Sequence, residues 1–299
     1  MIWILLVLLY GVLKGLREIA KKKALEKNTV MEVLIAYTFL SFVLVLPQIP
    51  NAGGLEGTFY FYIAIKSFAV FLAWICSFQS IKHLPVSLYG ILDLSRVLFA
   101  TSFGIFALGE SLSAMQVLGL VTVCSGLLLL KFRIPFRKRK TEDLSAIAIE
   151  ENCAKEKKAP AFFVILALAS CLLNAISGFL DKVLMKDITS SQLQFWYMLF
   201  MVIYYALYMI ATRTKVGISV VKNKWIWILA LMFIIGDKAL FIANGIPESR
   251  ITVMTLIKQS GCLITILGGY LVFKEKDIAY KLFCASVVIA GILIGMVRL

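Results

Sequence analysis

Two short stretches decide how the chain is organised: "LPVSLYG" at 84–90 and "IPESRIT" at 246–252. Each reads apolar-Pro-x-Ser and opens a long apolar segment, at a position where the missing N–H of proline does no harm to a helix. Each segment ends at a glutamate: Glu110 lies 25 residues after the first proline, and Glu275 lies 28 residues after the second. A glycine lies sixteen residues after each glutamate. The match predicts that the second half of the chain repeats the first.

The composition indicates a membrane protein that crosses the bilayer many times. Of 299 residues, 61% are hydrophobic, and the mean hydropathy is +0.92. About 20 apolar residues span the hydrocarbon core as a helix, which satisfies its own backbone hydrogen bonds. The predicted fold class is therefore an all-α membrane protein with ten spans, at about 1–24, 30–47, 58–81, 84–108, 112–131, 160–186, 190–212, 224–244, 248–273 and 277–297. We number them spans 1 to 10.

The long polar stretch at 132–159, "FRIPFRKRKTEDLSAIAIEENCAKEKKA", separates five spans from five. We predict a first repeat over 1–131, a basic linker over 132–159 and a second repeat over 160–299. Because each half has an odd number of spans, the two halves have opposite orientations in the membrane. Such an inverted repeat can expose a central site to each side in turn.

The net charge of +14 follows the predicted topology. The linker with the adjoining Lys131, and the turns after spans 1, 3, 7 and 9, hold 21 Lys and Arg, whereas the opposite face holds three. This bias predicts a cytoplasmic linker with both termini outside, and it explains the basicity without nucleic acid. The opening "MIWILLVLLYGVL" lacks a basic start and a small-residue cleavage site, so span 1 is predicted to be retained.

Charged residues also lie inside the apolar spans away from their ends, and these are on spans 1, 3, 4, 6, 8 and 9. The basic ones are Lys14, Arg17, Lys66, Arg96, Lys182, Lys238 and Lys258, and the acidic ones are Glu18, Asp93, Asp181 and Asp237. Intramembrane ions face the bundle interior or water and find partners there. Helical spacing predicts the pairs Lys14–Glu18 and Asp93–Arg96, while the adjacent Asp237 and Lys238 should serve different partners. The excess of cations predicts an anionic ligand.

These residues define the candidate site. Predicted substrate-binding residues are Lys14, Lys66, Arg96, Lys238 and Lys258, with Tyr89 and Gln259 as polar neighbours. Predicted coupling or charge-pair residues are Asp93, Asp237, Asp181 and Glu18. Arg17 and Lys182 lie nearer to the ends of their spans, so both a cavity position and a membrane-interface position are open for them.

Three consecutive features resemble the drug/metabolite transporter superfamily, in its EamA-like branch. They are the P-x-S start, the glutamate at the end of that helix and the glycine-bearing helix that follows, the last two within "LGESLSAMQVLGLVTVCSGLLLL" (108–130). The resemblance implies ten helices in two inverted five-helix repeats and transport of small organic solutes. It also implies a cavity lined by helices 1, 3, 4, 6, 8 and 9, the six spans that carry the buried charges. Many members keep both termini in the cytoplasm, which the Lys/Arg count opposes.

We therefore expect a secondary transporter that moves a small metabolite with a phosphate or carboxylate group, by exchange or proton coupling. The open alternatives are an integral-membrane enzyme or flippase for a polyprenyl or other lipid phosphate, and an amino-acid or drug exporter. One histidine and scattered cysteines predict no catalytic centre, metal or cofactor. The expected location is a cell or inner membrane, in contact with lipid and without nucleic acid. Monomer and homodimer are both open.

Overall fold

The computed structural model describes residues 2–109, 113–131, 161–214, 216–275 and 278–296. The predicted linker 132–159 and Glu110 lie outside these residues. Within the described ranges the regular elements are helices, thirteen of them α-helices and two of them short 3-10 helices, at Leu46–Asn51 and Asp93–Ser95. The all-α fold class is therefore confirmed for the described chain.

The α-helices follow one another along the chain in both halves. They are α1 (Ile2–Leu25), α2 (Val30–Val45), α3 (Gly57–His83), α4 (Val86–Leu92), α5 (Arg96–Leu108), α6 (Ala114–Lys131), α7 (Ala161–Leu184), α8 (Ser190–Thr212), α9 (Ile218–Val221), α10 (Lys224–Asn244), α11 (Ile251–Lys258), α12 (Gly261–Phe273) and α13 (Ile278–Met296).

Six described stretches are long and apolar enough to cross a membrane. They are Val30–Asn51, Gly57–His83, Val86–Ala107, Ala161–Leu184, Ser190–Thr212 and Lys224–Asn244. They correspond to predicted spans 2, 3, 4, 6, 7 and 8. Shorter apolar helices occupy the positions of spans 5, 9 and 10, and α1, at span 1, carries many charges. Ten membrane crossings stay a prediction.

Helices α2 and α8 begin in the same way. Thr29 accepts a hydrogen bond from the Glu32 amide (3.4 Å), and the Glu32 carboxylate accepts one from the Thr29 amide (2.8 Å). Thr189 and Gln192 form the same reciprocal pair, at 3.2 and 2.8 Å. Each capping box satisfies two amides that have no partner within the helix.

Predicted spans 4 and 9 are interrupted, which corrects their description as continuous helices. The 3-10 turn Asp93–Ser95 separates α4 from α5, and α11 ends at Lys258 before α12 begins at Gly261. Asp and Ser side chains compete for backbone hydrogen bonds, and glycine is a poor helix former. The local sequence therefore weakens the helix at both points, and it places Asp93 and Gln259 at the interruptions.

The two halves pack against each other through matched pairs of helices. Helix α1 packs along α10, and α7 packs along α3 in the same way. The pair α1–α12 corresponds to α7–α5, and the pair α2–α10 corresponds to α8–α3. Two other contacts, α6–α13 and α2–α8, join helices at corresponding positions of the two halves. Several contacts of one half thus have a counterpart in the other, while the inverted repeat stays a prediction.

Glycines allow two of these helix pairs to approach closely. A Cβ built on Gly119 of α6 would lie 2.5 Å from the carbonyl oxygen of Gly291 on α13, and one on Gly291 would lie 2.7 Å from that of Gly119. A Cβ on Gly15 of α1 would lie 2.5 Å from the carbonyl oxygen of Gly261 on α12. Small residues permit such backbone contact between membrane helices.

The main apolar core lies between α2, α3, α8 and α10. Tyr37 is at its centre, with ring centroids 4.8 Å from Trp74 and 5.4 Å from Phe233. A smaller core joins α4, α5, α6, α12 and α13. The aromatic core forms one wall of the polar cavity described next.

Candidate functional site

A polar cavity lies inside the bundle. Its volume of about 80 Å³ suffices for several water molecules. Residues of α1, α3, α4, α5, α7, α10 and α11 line it, with Tyr37 of α2 and Tyr197 of α8. These helices are mainly those of predicted spans 1, 3, 4, 6, 8 and 9. The charged residues of the lining are Lys14, Arg17, Glu18, Lys21, Lys66, Arg96, Asp181, Asp237 and Lys258.

Arg17 of α1 pairs with Asp237 of α10 across the cavity wall. The guanidinium Nη1 lies 3.6 Å from the Asp237 Oδ1, and both side chains are buried. The Arg17 guanidinium also lies over two rings, 5.3 Å from the centroid of Tyr10 and 5.2 Å from that of Phe233. These contacts place Arg17 inside the bundle and remove the membrane-interface alternative for it.

Lys66 of α3 pairs with Asp181 of α7, so a second ion pair joins the two halves. The Lys66 Nζ lies 3.2 Å from Asp181 Oδ1, close enough for an ion pair although the alignment does not make a hydrogen bond. The ammonium also lies 3.6 Å from the centroid of the Tyr197 ring. Lys66 is 2% exposed and Asp181 is 4% exposed, so the pair lies in a low-dielectric environment.

The interrupted helix between α4 and α5 brings Asp93 to two cations. The Lys14 ammonium forms an ion pair with one carboxylate oxygen of Asp93, and the Arg96 Nη2 lies 3.0 Å from the other. Lys14 also donates to the Oε1 of Gln259 at 3.0 Å, and the Nε2 of Gln259 donates to the backbone carbonyl of Asp93 at 3.3 Å. The predicted pair Asp93–Arg96 is confirmed.

The predicted pair Lys14–Glu18 is wrong. Glu18 accepts from Lys21 at 2.8 Å through one oxygen, and its other oxygen is buried without a hydrogen-bond partner. Lys14 turns to Asp93 on the neighbouring helix instead. Spacing along one helix could not reveal this choice, because the closer carboxylate comes from another part of the chain.

Lys258, at the end of α11, is the cation that these pairs leave over. It is 8% exposed, it lines the cavity, and its ammonium lies 6.0 Å from the centroid of the Tyr10 ring. Among the residues that the structure describes, no carboxylate lies within ion-pair distance of it. Around the cavity, six cations (Lys14, Arg17, Lys21, Lys66, Arg96, Lys258) meet four carboxylates (Glu18, Asp93, Asp181, Asp237). The site carries an excess of positive charge.

Two of the predicted substrate-binding residues do not line this cavity. Lys238 points away from it and donates to Gln48 and Ser191, both at 2.8 Å. The adjacent Asp237 faces Arg17, so the prediction that these neighbours serve different partners is confirmed. Gln259 lines a smaller adjoining cavity instead, where it contacts Lys14. Tyr89 lines the main cavity, and its hydroxyl lies 2.6 Å from that of Ser77.

Lys21 and most of the aromatic wall of the cavity were not predicted from the sequence. Lys21, which the sequence count places with the cytoplasmic Lys and Arg at the end of span 1, lies on α1 and lines the cavity. Tyr10, Tyr37 and Phe233 looked like ordinary packing residues. The repeated T-x-x-E/Q pattern at 29–32 and 189–192 was the available signal for where α2 and α8 begin.

Lys22 stabilises the turn that precedes α4 through hydrogen bonds. Its ammonium donates to the backbone carbonyls of Ile81 (2.7 Å), Lys82 (3.1 Å) and Leu84 (2.7 Å). Leu84 is the residue before the proline of the first P-x-S sequence. A lysine on α1 therefore caps the end of α3 and holds the entry into a cavity helix.

Lys182 of α7 holds the corresponding turn before α11. It donates to the backbone carbonyls of Asn244 (3.0 Å) and Ile246 (3.3 Å), and to the hydroxyl of Ser249 (2.6 Å). Ile246 precedes the proline of the second P-x-S sequence, as Leu84 does in the first. Lys182 thus lies outside the cavity, and the two lysines make equivalent contacts in the two halves.

Glu275 caps the start of α4 from the second half of the chain. Its carboxylate accepts from the backbone amides of Val86 (2.6 Å) and Ser87 (3.3 Å), and from the Ser87 hydroxyl. Lys281 lies 3.2 Å from the same carboxylate. The glutamate and the P-x-S serine identified in the sequence therefore meet in space, each supplied by a different half.

Comparison with known proteins identifies the first half. Residues 1–132 match the model of the EamA-like transporter family. The first half of the chain is therefore similar to this family. EamA-like transporters carry small solutes across membranes and are not enzymes, so the match together with the apolar helices identifies a multi-pass integral membrane protein. Its partners are a small solute and the surrounding lipid.

The fold has a solved counterpart over nearly its whole length. A structure described as "Crystal structure of protein" superposes with a TM-score of 0.65, covering 98% of this chain and 94% of that chain at 12% identity. The chain shares the fold of that protein, and the likeness carries nothing further. No curated protein matches the sequence significantly. Within the described ranges, no group of three His, Cys, Asp or Glu residues could hold a metal ion.

Proposed function

We propose that this EamA-like protein is a secondary transporter that carries a small organic anion by alternating access. The observation that supports it is the unbalanced charge of the central cavity, where Lys258 faces the interior without a carboxylate partner in the described chain. An isolated buried cation is costly. A phosphate or carboxylate group on the solute would offset that cost.

Arg96 and Lys258 are the proposed anion contacts. Both line the cavity, and Arg96 shares Asp93 with Lys14, so Arg96 can turn to a ligand without leaving Asp93 unpaired. The pairs Arg17–Asp237 and Lys66–Asp181 are locally neutral and hold the helices around the solute. Arg and Lys suit phosphate and carboxylate recognition because they supply charged donors.

We propose exchange of one anion for another as the mode of transport. When the cavity is empty, its excess cations repel one another, and closing the bundle around them would remove them from water at a high cost. A bound anion lowers that barrier in either direction. The protein would then change sides only when loaded.

The proposed architecture is ten helices in two inverted repeats, 1–131 and 160–299, joined by a cytoplasmic linker, with both termini outside. The reciprocal packing of α1–α10 with α7–α3, the matched capping boxes and the matched contacts of Lys22 and Lys182 support the repeat. The distribution of Lys and Arg supports the orientation.

Thermal stabilisation of the purified protein tests the substrate class. Phosphate- and carboxylate-bearing solutes should raise the melting temperature, and organic cations should not. Lys258→Gln should weaken anion binding at least about 30-fold, since a desolvated charge contact is lost. Lys238→Gln is the matched control, a lysine outside the cavity, and should keep the affinity.

Flux into proteoliposomes tests the mechanism. Uptake of a labelled anion should require a counter-anion inside the vesicle. The proposed substrate class is refuted if organic cations stabilise the protein, or if wild type and Lys258→Gln respond equally to every anion. If uptake is equally fast into vesicles that contain no counter-anion, the exchange mechanism is refuted and the proposed substrate class is not.

A further inference from the structure

We propose that the ammonium group of Lys14 occupies a monovalent-cation site built where the two interrupted helices meet. Lys14 is 8% exposed and lies on α1, beside the break at Asp93–Ser95 and the break between α11 and α12. Interrupted helices in transporters coordinate cations such as Na⁺ through freed oxygens. In this chain the cation is covalently attached, so the site needs none from solution.

The oxygens around Lys14 form the ligand set of such a site. One carboxylate oxygen of Asp93 pairs with the ammonium, and the Oε1 of Gln259 lies 3.0 Å from it. The Nε2 of Gln259 donates to the backbone carbonyl of Asp93 at 3.3 Å, and this bond directs the amide oxygen toward Lys14. The two ligands thus come one from each interruption.

A third candidate ligand, the Glu18 carboxylate, lies beside the same place and has one oxygen without a partner. A small cavity beside Lys14 is lined by Glu18, Asp93, Gln259 and Thr265, and its volume of about 10 Å³, counted for water centres, is near that of a single water or small ion. Glu18 is 6% exposed, and its Oε2 is buried with no hydrogen-bond partner. This oxygen is available to a cation that replaces the Lys14 ammonium.

The local charge balance fits a single positive charge at this point. Lys14, Lys21 and Arg96 surround the carboxylates of Glu18 and Asp93, which leaves one net positive charge. Removing the Lys14 ammonium makes the group neutral, and a bound Na⁺ restores the original charge. Lys14 is therefore a positioning residue that joins α1 to both interruptions, and anion transport should not depend on Na⁺.

The test is the variant Lys14→Ala, prepared in choline chloride. The deleted atoms equal those of propylammonium, so propylammonium should raise the melting temperature of this variant by several degrees, and Na⁺ should do the same at constant ionic strength. Radioactive Na⁺ should bind at one ion per chain. Wild type should show neither the shift nor the binding.

Two variants serve as matched controls. Lys14→Met removes the charge but keeps an unbranched stem as long as the carbon chain of lysine, so propylammonium has no room and should not stabilise it. Lys66→Ala also removes a buried lysine, but Asp181 offers one carboxylate and Tyr197 a ring face, so Na⁺ has too few oxygen ligands and should have no effect.

The inference is overturned if Lys14→Ala melts at the same temperature in choline, Na⁺ and propylammonium. If Lys14→Ala cannot be purified, Na⁺ binding by wild type decides: none is expected, and one bound Na⁺ that Asp93→Asn abolishes would refute the inference. None of these readings uses the transported anion, so failure of the proposed substrate class leaves them intact.

Discussion

Replacing Lys66 by methionine removes the cation from a buried ion pair and leaves Asp181, 4% exposed, without its partner. Breaking a buried pair from one side costs about 3–5 kcal/mol, because the remaining charge stays desolvated. Methionine is unbranched and only one atom shorter than lysine, so it fills most of the same space and little of this loss should come from packing. We expect the free energy of unfolding to fall by that amount.

The partner substitution Asp181→Asn should cost less. The Lys66 ammonium would remain over the rings of Tyr197 and Phe241, and cation–π contacts recover about 0.5–2 kcal/mol. The double variant leaves no buried ion, and replacement of a buried pair by uncharged residues is often close to neutral. Its stability should lie within about 1 kcal/mol of wild type, with a coupling energy of at least about 2 kcal/mol.

Unfolding by dodecyl sulfate in mixed micelles, followed by tryptophan fluorescence and circular dichroism, measures this cycle. Lys82→Met, a lysine on the same helix with a partly exposed side chain, serves as control and should change stability by less than about 0.5 kcal/mol. Additive losses in the double variant would refute the reasoning. Because the pair is neutral as a whole, the double variant should also keep its anion affinity.

Three further substitutions test the packing and the caps. Gly15→Ala should lower stability by about 1–3 kcal/mol, because the new Cβ would meet a backbone carbonyl. Gly178→Ala is the control and should not lower it, because the new Cβ would meet nothing within 4 Å. Melting temperatures of the two variants test this difference. Glu275→Ala should cost about 1 kcal/mol through loss of the α4 cap, and an unchanged unfolding midpoint would contradict the capping role. Lys22→Met should lower stability by about 1–3 kcal/mol, because it leaves three carbonyls without this donor. Lys23→Met is the comparison in the same unfolding assay, since Lys23 contacts only Glu26 and a ring face in the described chain.

The sequence was sufficient to predict the helical class and the helices that carry the charges, because a charge in an apolar run is expensive wherever the run is placed. It also predicted pairs within one helix, such as Asp93–Arg96, since helical spacing alone brings them together. Asp237 and Lys238 diverge for the same geometrical reason: adjacent residues on a helix point in different directions.

Contacts between helices were beyond the sequence. Lys14 prefers Asp93 over Glu18, and Lys238 faces Gln48 rather than the cavity, because the rotation of each helix is set by packing against its neighbours. The interruptions after Leu92 and Lys258 also escaped prediction, because the apolar pattern continues across both. The likeness of Lys22 and Lys182 is visible only in the structure, where each donates to the carbonyl of the residue before the proline of one P-x-S sequence.

These two lysines have a practical consequence. Each amine is engaged by carbonyls at the entrance of one broken helix, one in each half. If the two entrances open in turn, an amine-reactive reagent should label Lys22 in one conformation and Lys182 in the other. The chain therefore carries a pair of native chemical reporters, and their labelling ratio in intact membranes would follow the state of the carrier without an introduced probe.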